Sequence, residues 1–368
     1  MTNRERENRT LGFEGTGGRG SVEETFYPWD ETVKRLAAQG LPRASYEGLP
    51  YGYGNEEPEA LSASKFFGAQ WAESVMAFES FFGFDPLLRV GLTLPVRYGL
   101  GQAIGKEHVA DQADWKEALA YAKRIERDYL TPERFQAQFG EFREGHQRGD
   151  FPVRVHTEGF FFAIRELLGI EEHLYAFYDQ RSLLHDMSGY ILEFYLKHLT
   201  AMLEILPADV LYLSEDLSGK NGSMISPALF EEFIGDYYRR LFPALRKAGA
   251  KTIFVDTDGE FSLLIPHFLD AGVDGFLPMD VNAGMDINEV RASYPKLLLI
   301  GGFNKLVIAK GKEEIDREFQ RILPVIRQGG YLPGCDHQLP PDATLENYRY
   351  YVTRLKDCMR YAGANHRK

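Results

Sequence analysis

From about residue 150 onward, short β-rich apolar runs alternate with helix-length amphipathic segments. That alternation restricts the chain to folds made of repeated βα units around a parallel sheet. The runs are Phe151–His156, Asp209–Leu213, Lys251–Val255, Val273–Leu277, Leu297–Ile300 and Gly330–Leu332. A long helix precedes the second run, spanning about Leu183 to Leu203. Ser226-Pro227 opens another, an N-cap followed by Pro at the first helical position, and Ala248-Gly249 closes it. Its apolar face is Phe230, Phe233, Ile234, Tyr237, Leu241 and Leu245. Asp286-Ile-Asn-Glu289 has capping-box spacing, and Leu345, Tyr348, Val352, Leu355 and Met359 line a terminal helix. No polar linker splits the series, so a single (β/α)8 (TIM) barrel domain over residues 24–368 is the economical expectation. Its first two strands are then sought at Thr25–Trp29 and Leu88–Leu94. Residues 1–23, rich in Gly, Arg and Glu, are expected to form a mobile arm.

Composition excludes several classes of function. The chain has 368 residues, 44% hydrophobic and 13% aromatic, enough for a large core and unlike a disordered segment. A net charge of -12 with no clustered Lys and Arg argues against nucleic acid and against anionic membranes. No apolar run approaches the roughly 20 residues of a spanning helix, and the N-terminus lacks the apolar core of a signal peptide. A cytoplasmic protein is expected. Only Cys335 and Cys358 occur, which is no disulfide framework. Cys358 falls on the terminal helix and is expected to be a packed side chain.

In such barrels the chemistry lies just past the strands, where the loops converge. The residues there are His156 with Glu158, Glu215 with Asp216, Asp256 with Asp258, Asp280 with Asn282, Asn304 with Lys305, and Cys335-Asp336-His337. All can exchange protons or bind metal, and each has an ordinary alternative. Asp258 could cap the helix at Glu260, Asp286 is expected to be a cap, Asp280 and Asn282 could order a loop, and His156 could be a satisfied core histidine. The Gly334-Cys335-Asp336-His337 cluster combines a soft ligand, a carboxylate and an imidazole, and Pro340-Pro341 stiffens its loop. Together with Asp256-Thr-Asp258 it offers donors for zinc or, from its oxygen subset, a harder divalent metal. Without metal, the carboxylates and His337 suit proton transfer.

These residues carry a resemblance. Glu215-Asp216, Asn221-Gly222, Ile225-Ser226-Pro227, Asp258-Gly259, Ala271-Gly-Val-Asp-Gly275, Ala283-Gly-Met-Asp286, Gly301-Gly302, Asp336-His337, Pro340-Pro-Asp342 and Glu346-Asn-Tyr348 stand in the order seen in the uroporphyrinogen decarboxylase superfamily. That superfamily includes the decarboxylase and the zinc methyltransferases that exchange methyl groups with corrinoid proteins. Before residue 150 only Asn3–Arg6 and Phe81–Asp85 are similar. The decarboxylase's basic Arg-Gln-Ala-Gly-Arg type segment has no counterpart; Gly40-Leu-Pro-Arg43-Ala-Ser stands there instead. The methyltransferases' His-x-Cys-Gly segment falls on Asp256-Thr-Asp258-Gly259, and their third ligand on Cys335.

The resemblance therefore implies a methyltransferase moving a methyl group to or from a corrinoid protein that docks as a partner. Asp256, Asp258 and Cys335 are its expected metal ligands. His337, Glu215, Asp216 and His156 are the expected catalytic groups, and Arg154, Asp280 and Asn304 the expected substrate-binding groups. The alternative is a metal-independent decarboxylase without cofactor, acting on a porphyrinogen or a small cyclic acid, whose basic groups would be Arg97, Arg154 and Arg165. Those arginines have an ordinary reading as ion-pair partners. A non-catalytic ligand-binding barrel is the third alternative, and the resemblance allows a homodimer.

Overall fold

The computed structural model describes residues 1–49, 72–98 and 100–362. Its centre is a parallel sheet of seven strands: β1 Leu88–Leu92, β2 Val153–Glu158, β3 Ala208–Ser214, β6 Ala250–Asp256, β7 Gly275–Leu277, β8 Leu298–Phe303 and β9 Tyr331–Cys335. They lie side by side in that order. The tiny antiparallel pair β4 Ser218–Gly219 and β5 Gly222–Ser223 stands apart, in the loop after β3. All six runs expected beyond residue 150 form strands, and Leu88–Leu94 supplies β1. Most extend past their last apolar residue, so that Glu158, Ser214, Asp256 and Cys335 are strand residues rather than loop residues.

The local signals are met with one difference. Ser226 caps its helix by accepting a hydrogen bond from the Leu229 amide, with Pro227 at the first turn, and Asp286 caps Ile287–Ser293 through the Asn288 amide. The helix after Pro227 is not continuous, because a π-helical turn over Glu231–Gly235 interrupts it before Asp236–Ala248. Cys358 is packed in the helix Leu345–Cys358. Among the described residues no helix is long and apolar enough to cross a membrane.

The sheet curls until its edge strands face a common segment. Val210, Phe254, Leu277, Ile300 and Leu332, from five strands, form one small cluster with Leu11 and Phe26 on the concave face. A far larger apolar cluster fills the space between the convex face and the helices. Side chains alternate between these layers with period two. In β8 the alternation is broken at Gly301 and Gly302. Both have positive φ, and a Cβ on Gly301 would lie 2.2 Å from the Pro278 carbonyl oxygen.

A closed eight-stranded sheet is not formed among the described residues, and Thr25–Trp29 is not a strand. The extended segment just before it spans the gap between β1 and β9 instead. The Arg89 guanidinium of β1 donates to the Glu24 carbonyl (2.6 Å), and the Cys335 amide of β9 donates to the Glu24 carboxylate (2.7 Å). The Val22 carbonyl accepts from the Asp85 amide, next to β1 (2.7 Å).

Nor are residues 1–23 a free arm. Asn3–Leu11 is a helix capped by Thr2, docked at the N-terminal ends of the strands with Glu7, Thr10 and Leu11 buried. Composition suggested solvent exposure, but the polar groups of this segment are paired with distant residues. Asp209, at the start of β3, accepts from Arg4 (2.8 Å), Asn8 (2.9 Å), His146 (2.8 Å) and the Val153 amide (2.9 Å). Burial alone would raise the pKa of this carboxyl, but the bonds from His146, Asn8, Arg4 and Val153 hold it down to about 2.

Asp209→Ala should therefore cost about 3–5 kcal/mol in urea denaturation, since it strands Arg4 and His146 without their buried acceptor. The pH profile has a definite sign. A depressed carboxyl contributes stability that is complete above its ordinary 3.8 and is lost as the pH falls toward 2. The wild type should lose about 2 kcal/mol over that acid window through this group. Parallel profiles for wild type and variant there would show that Asp209 has no such role.

Candidate active site

The C-terminal ends of β3 and β6 bring three carboxylates together. Asp216 follows β3, Asp256 ends β6, and Asp258 lies two residues on; one oxygen of each lies within 4.8 Å of the others. Asp256 faces the concave side because Phe254, two residues earlier, does so. Burial raises its pKa well above the usual carboxylate range, and the charges of Asp216 and Asp258 add to the effect. Asp216 is raised by burial and then by Asp258, against the pull of Arg165. The backbone at Asp216 is left-handed (φ 43°), and its carbonyl accepts from Arg165 (2.9 Å). Such strain in a non-glycine residue needs support from its surroundings, as is common at functional sites.

His337 reaches this group from β9, its Nε2 lying 2.8 Å from Asp258 Oδ1. Burial alone would lower the pKa of the imidazole, but the hydrogen bond and charge of Asp258 outweigh it and the net shift is upward. Its Nδ1 is buried without a protein partner. On the other side, His156 stacks on Tyr212 (ring centroids 4.8 Å apart) and bonds Ser214 Oγ through Nε2 (2.9 Å). Ser214 in turn donates to Asp256 Oδ2 (2.9 Å). Burial, with the Arg97 charge second, brings the His156 pKa down to about 4, so the ring is neutral at pH 7 and donates from Nε2. Ser214, absent from the sequence expectations, links the two. The apolar run hides its phase in the sequence; with Val210 and Tyr212 placed on the concave face, period two puts Ser214 there as well.

Asp280, Asp336 and His337 form a second close group. Asp336 is fully buried and accepts from the amides of Val281 (3.2 Å) and Lys305 (3.1 Å) and from Asn282 Nδ2 (3.1 Å). Asp280 caps the short turn Val281–Ala283, as its ordinary alternative had it. Asn304 accepts from the Leu306 amide (3.0 Å) and lies 3.4 Å from Asn282 Nδ2. Asp280 and Asn304 thus hold the loops beside His337.

Three expected site residues lie elsewhere. Cys335 is fully buried on the convex side beside Glu24 and Tyr351, where burial pushes its thiol well above the ordinary value. It does not join Asp256 and Asp258. Glu215 also faces the helices. It is fully buried and accepts from the amides of Phe160 (3.1 Å), Phe161 (2.7 Å) and Phe162 (3.2 Å) and from Tyr238. It fills the N-terminus of the helix Phe160–Leu168, and a Cβ on Gly159 would strike its carboxyl carbon at 2.1 Å. Burial still brings its pKa up to about 7. Arg154, 1% exposed, is paired with Glu23 (2.7 Å) deep in the concave interior. The other basic candidates are also committed: Arg97 to Glu158 and Glu166, and Arg165 to Asp216 and Glu166.

The donor set at the mouth of the curled sheet is therefore carboxylate oxygen with an imidazole alongside and no thiolate. Such a set suits a hard divalent cation, and the mutual repulsion of three carboxylates is what a cation or shared protons would relieve.

The chain belongs to the uroporphyrinogen decarboxylase (URO-D) family, whose model matches residues 146–358. A uroporphyrinogen decarboxylase from Hydrogenobaculum sp. (strain Y04AAS1) is 22% identical over 151 residues, 41% of this chain and 42% of that enzyme. The match thus spans less than half the length of that relative. A solved structure of a methyltransferase from Methanosarcina mazei superposes with a TM-score of 0.63 over 97% of this chain and 98% of the other, at 16% identity. At that identity the likeness is one of fold.

Asp258→Asn should lower the His337 pKa, because burial then acts on the imidazole without its counter-charge. Titration of the ring protons by NMR measures this. An unchanged or higher value would mean that Asp258 does not set the His337 charge.

Proposed function

We propose that this chain is a methyltransferase of the family, built as a (β/α)8-type enzyme, that moves a methyl group to or from a corrinoid protein and holds a hard divalent cation at Asp216, Asp256 and Asp258. The observation that carries the proposal is the convergence of these three carboxylates at the strand ends. Two of them, Asp256 and Asp258, stand where the resemblance to the zinc methyltransferases puts the first metal ligands. A divalent cation bound there supplies Lewis-acid polarisation of a substrate oxygen. Magnesium or manganese fits the oxygen donors better than zinc, since the thiol of Cys335 is turned away.

The chain's own groups have distinct parts. Ser214 ties down one oxygen of Asp256. His156, neutral and stacked, fixes the Ser214 hydroxyl. His337 can hold or release a proton at the edge of the carboxylate group, with Asp258 favouring its charged form. Decarboxylation of a polyacid is a weaker reading, because Arg97, Arg154 and Arg165 are each paired with carboxylates of the chain. A purely ligand-binding role is also weaker, because strand-end groups from β3, β6 and β9 share one site.

Titration with Mn2+ followed by electron paramagnetic resonance tests the cation. The wild type should bind about one equivalent, Asp256→Asn should weaken binding by about tenfold or more, and Cys335→Ser should leave it unchanged. A wild type that binds no divalent cation removes the cation from the proposal. Methyl transfer is checked separately by the absorption change of a corrinoid protein incubated with this chain and a panel of methyl donors. No change with any donor removes the reaction class.

A further inference from the structure

The loop after β8 carries a charge that the proposed cation site does not use. Lys305 stands just past Phe303, the last residue of β8, and its main-chain amide donates to Asp336 (3.1 Å), which fixes the residue beside the mouth. Its side chain goes elsewhere. The ammonium lies over the Trp29 ring, 5.7 Å from the centroid, where a cation–π contact holds it. Trp29 is anchored in turn, because it precedes the helix Asp30–Ala38, whose Thr32 hydroxyl donates to the Leu339 carbonyl in the loop after β9 (2.6 Å).

The surrounding carboxylates leave that ammonium unpaired. Asp336 is filled by the amides of Val281 and Lys305 and by Asn282. Asp280 accepts from the amides of Asn282 and Ala283 on one oxygen and faces the Gly259 amide with the other (3.4 Å). Asp258 is paired with His337, and Asp30, next to Trp29, with Lys34 (3.2 Å). Among the described residues Lys305 therefore has no ion-pair partner, whereas Arg97 and Arg165 are both committed. Lys220, also without an ion pair there, lies on the exposed turn of the β4–β5 hairpin, where solvent screens it.

An unpaired ammonium near an imidazole is electrostatically unfavourable, and the Lys305 charge does push the His337 pKa down, against Asp258. An anion arriving with a ligand relieves that repulsion. The neighbouring groups define which anion. Asn304 spends its Oδ1 on the Leu306 amide (3.0 Å), which leaves its Nδ2 as a second donor beside the ammonium. Trp29 and Leu306, each 41% exposed, add an apolar wall. The five carboxylates of Asp216, Asp256, Asp258, Asp280 and Asp336 repel a ligand with several negative charges. A single anionic group on an apolar body is what remains compatible with all three conditions.

From this placement we propose that Lys305, Asn304 and Trp29 form a carboxylate-recognition subsite on the rim of the mouth. The substrate it selects is a small monocarboxylic acid whose apolar body rests against Trp29 and Leu306. The inference rests on the reading of the mouth as an active site. Lys305 holds the acid end of the substrate and leaves the other end for the carboxylate group at β3 and β6.

Binding of a probe acid to the full-length protein tests the subsite. Benzoate is titrated in buffer containing Mg2+, and the readout is the indole N–H signal of Trp29 in the NMR spectrum, assigned by its loss in Trp29→Phe. Benzoate should move that signal saturably and bind about tenfold or more tighter than benzamide, its neutral isostere. Lys305→Met should remove the preference, and the side chain is unpaired, so folding should be retained. No corrinoid protein or methyl donor takes part. A failed transfer assay or Mn2+ titration thus leaves this result standing, and a failed benzoate titration leaves the cation site standing. A wild type that binds benzoate no better than benzamide, a benzoate site that leaves the Trp29 signal unmoved, or a Lys305→Met variant with the wild-type preference overturns the subsite.

Discussion

The two-residue alternation of side chains along the parallel strands divides this molecule into a helix-facing layer and a concave layer, and every chemical assignment depends on which layer a residue enters. On β3, Val210 and Tyr212 point to the concave side, so Ser214 does too and Glu215 does not. On β9, Leu332 is concave, so Cys335 is turned toward Tyr351 and the outer helices. One residue of phase therefore separates a group at the mouth from a group sealed in the core.

That rule also measures how much of the site was legible. The strands were visible as apolar runs because parallel strands, covered on both faces, are apolar throughout. The same property hides the phase: Val210-Leu211 or Ile253-Phe254-Val255 does not show which residue is concave. Polar residues just past a run were therefore found as a set and not sorted by layer. Asp216, Asp256, Asp258 and His337 do converge, whereas Glu215 and Cys335, equally chemical in type, serve a helix N-terminus and the outer core. Arg154 was misplaced for a related reason. A charged residue inside an apolar strand suggests a ligand contact, but here Glu23, distant in sequence, neutralises it.

The gap between β1 and β9 was the least legible feature. Thr25–Trp29 has strand-like residues, but the chain crosses the gap one step earlier. It does so through Val22 and Glu24, with side-chain as well as main-chain bonds, which composition does not reveal. A Gly- and Arg-rich stretch looks mobile when its partners are unknown. In the fold, Arg4 finds Asp209, and Arg6 and Arg19 find Asp85. Each pair joins the first twenty residues to positions at least 66 residues away, a separation at which local sequence carries no signal.

The mouth and the closed interior face the same electrostatic problem with different means. At the mouth, Asp216, Asp256 and Asp258 are partly open to solvent, and a cation can enter to relieve their repulsion. Away from the mouth, Glu23 and Glu79 are closed off from solvent, and Arg154 and Arg89 neutralise them within the chain. A buried ion pair is the means of neutralisation where no cation can enter. The difference follows from access rather than residue type. It gives the strand-end carboxylates a ligand-binding role and makes the buried set part of the chain's own closure.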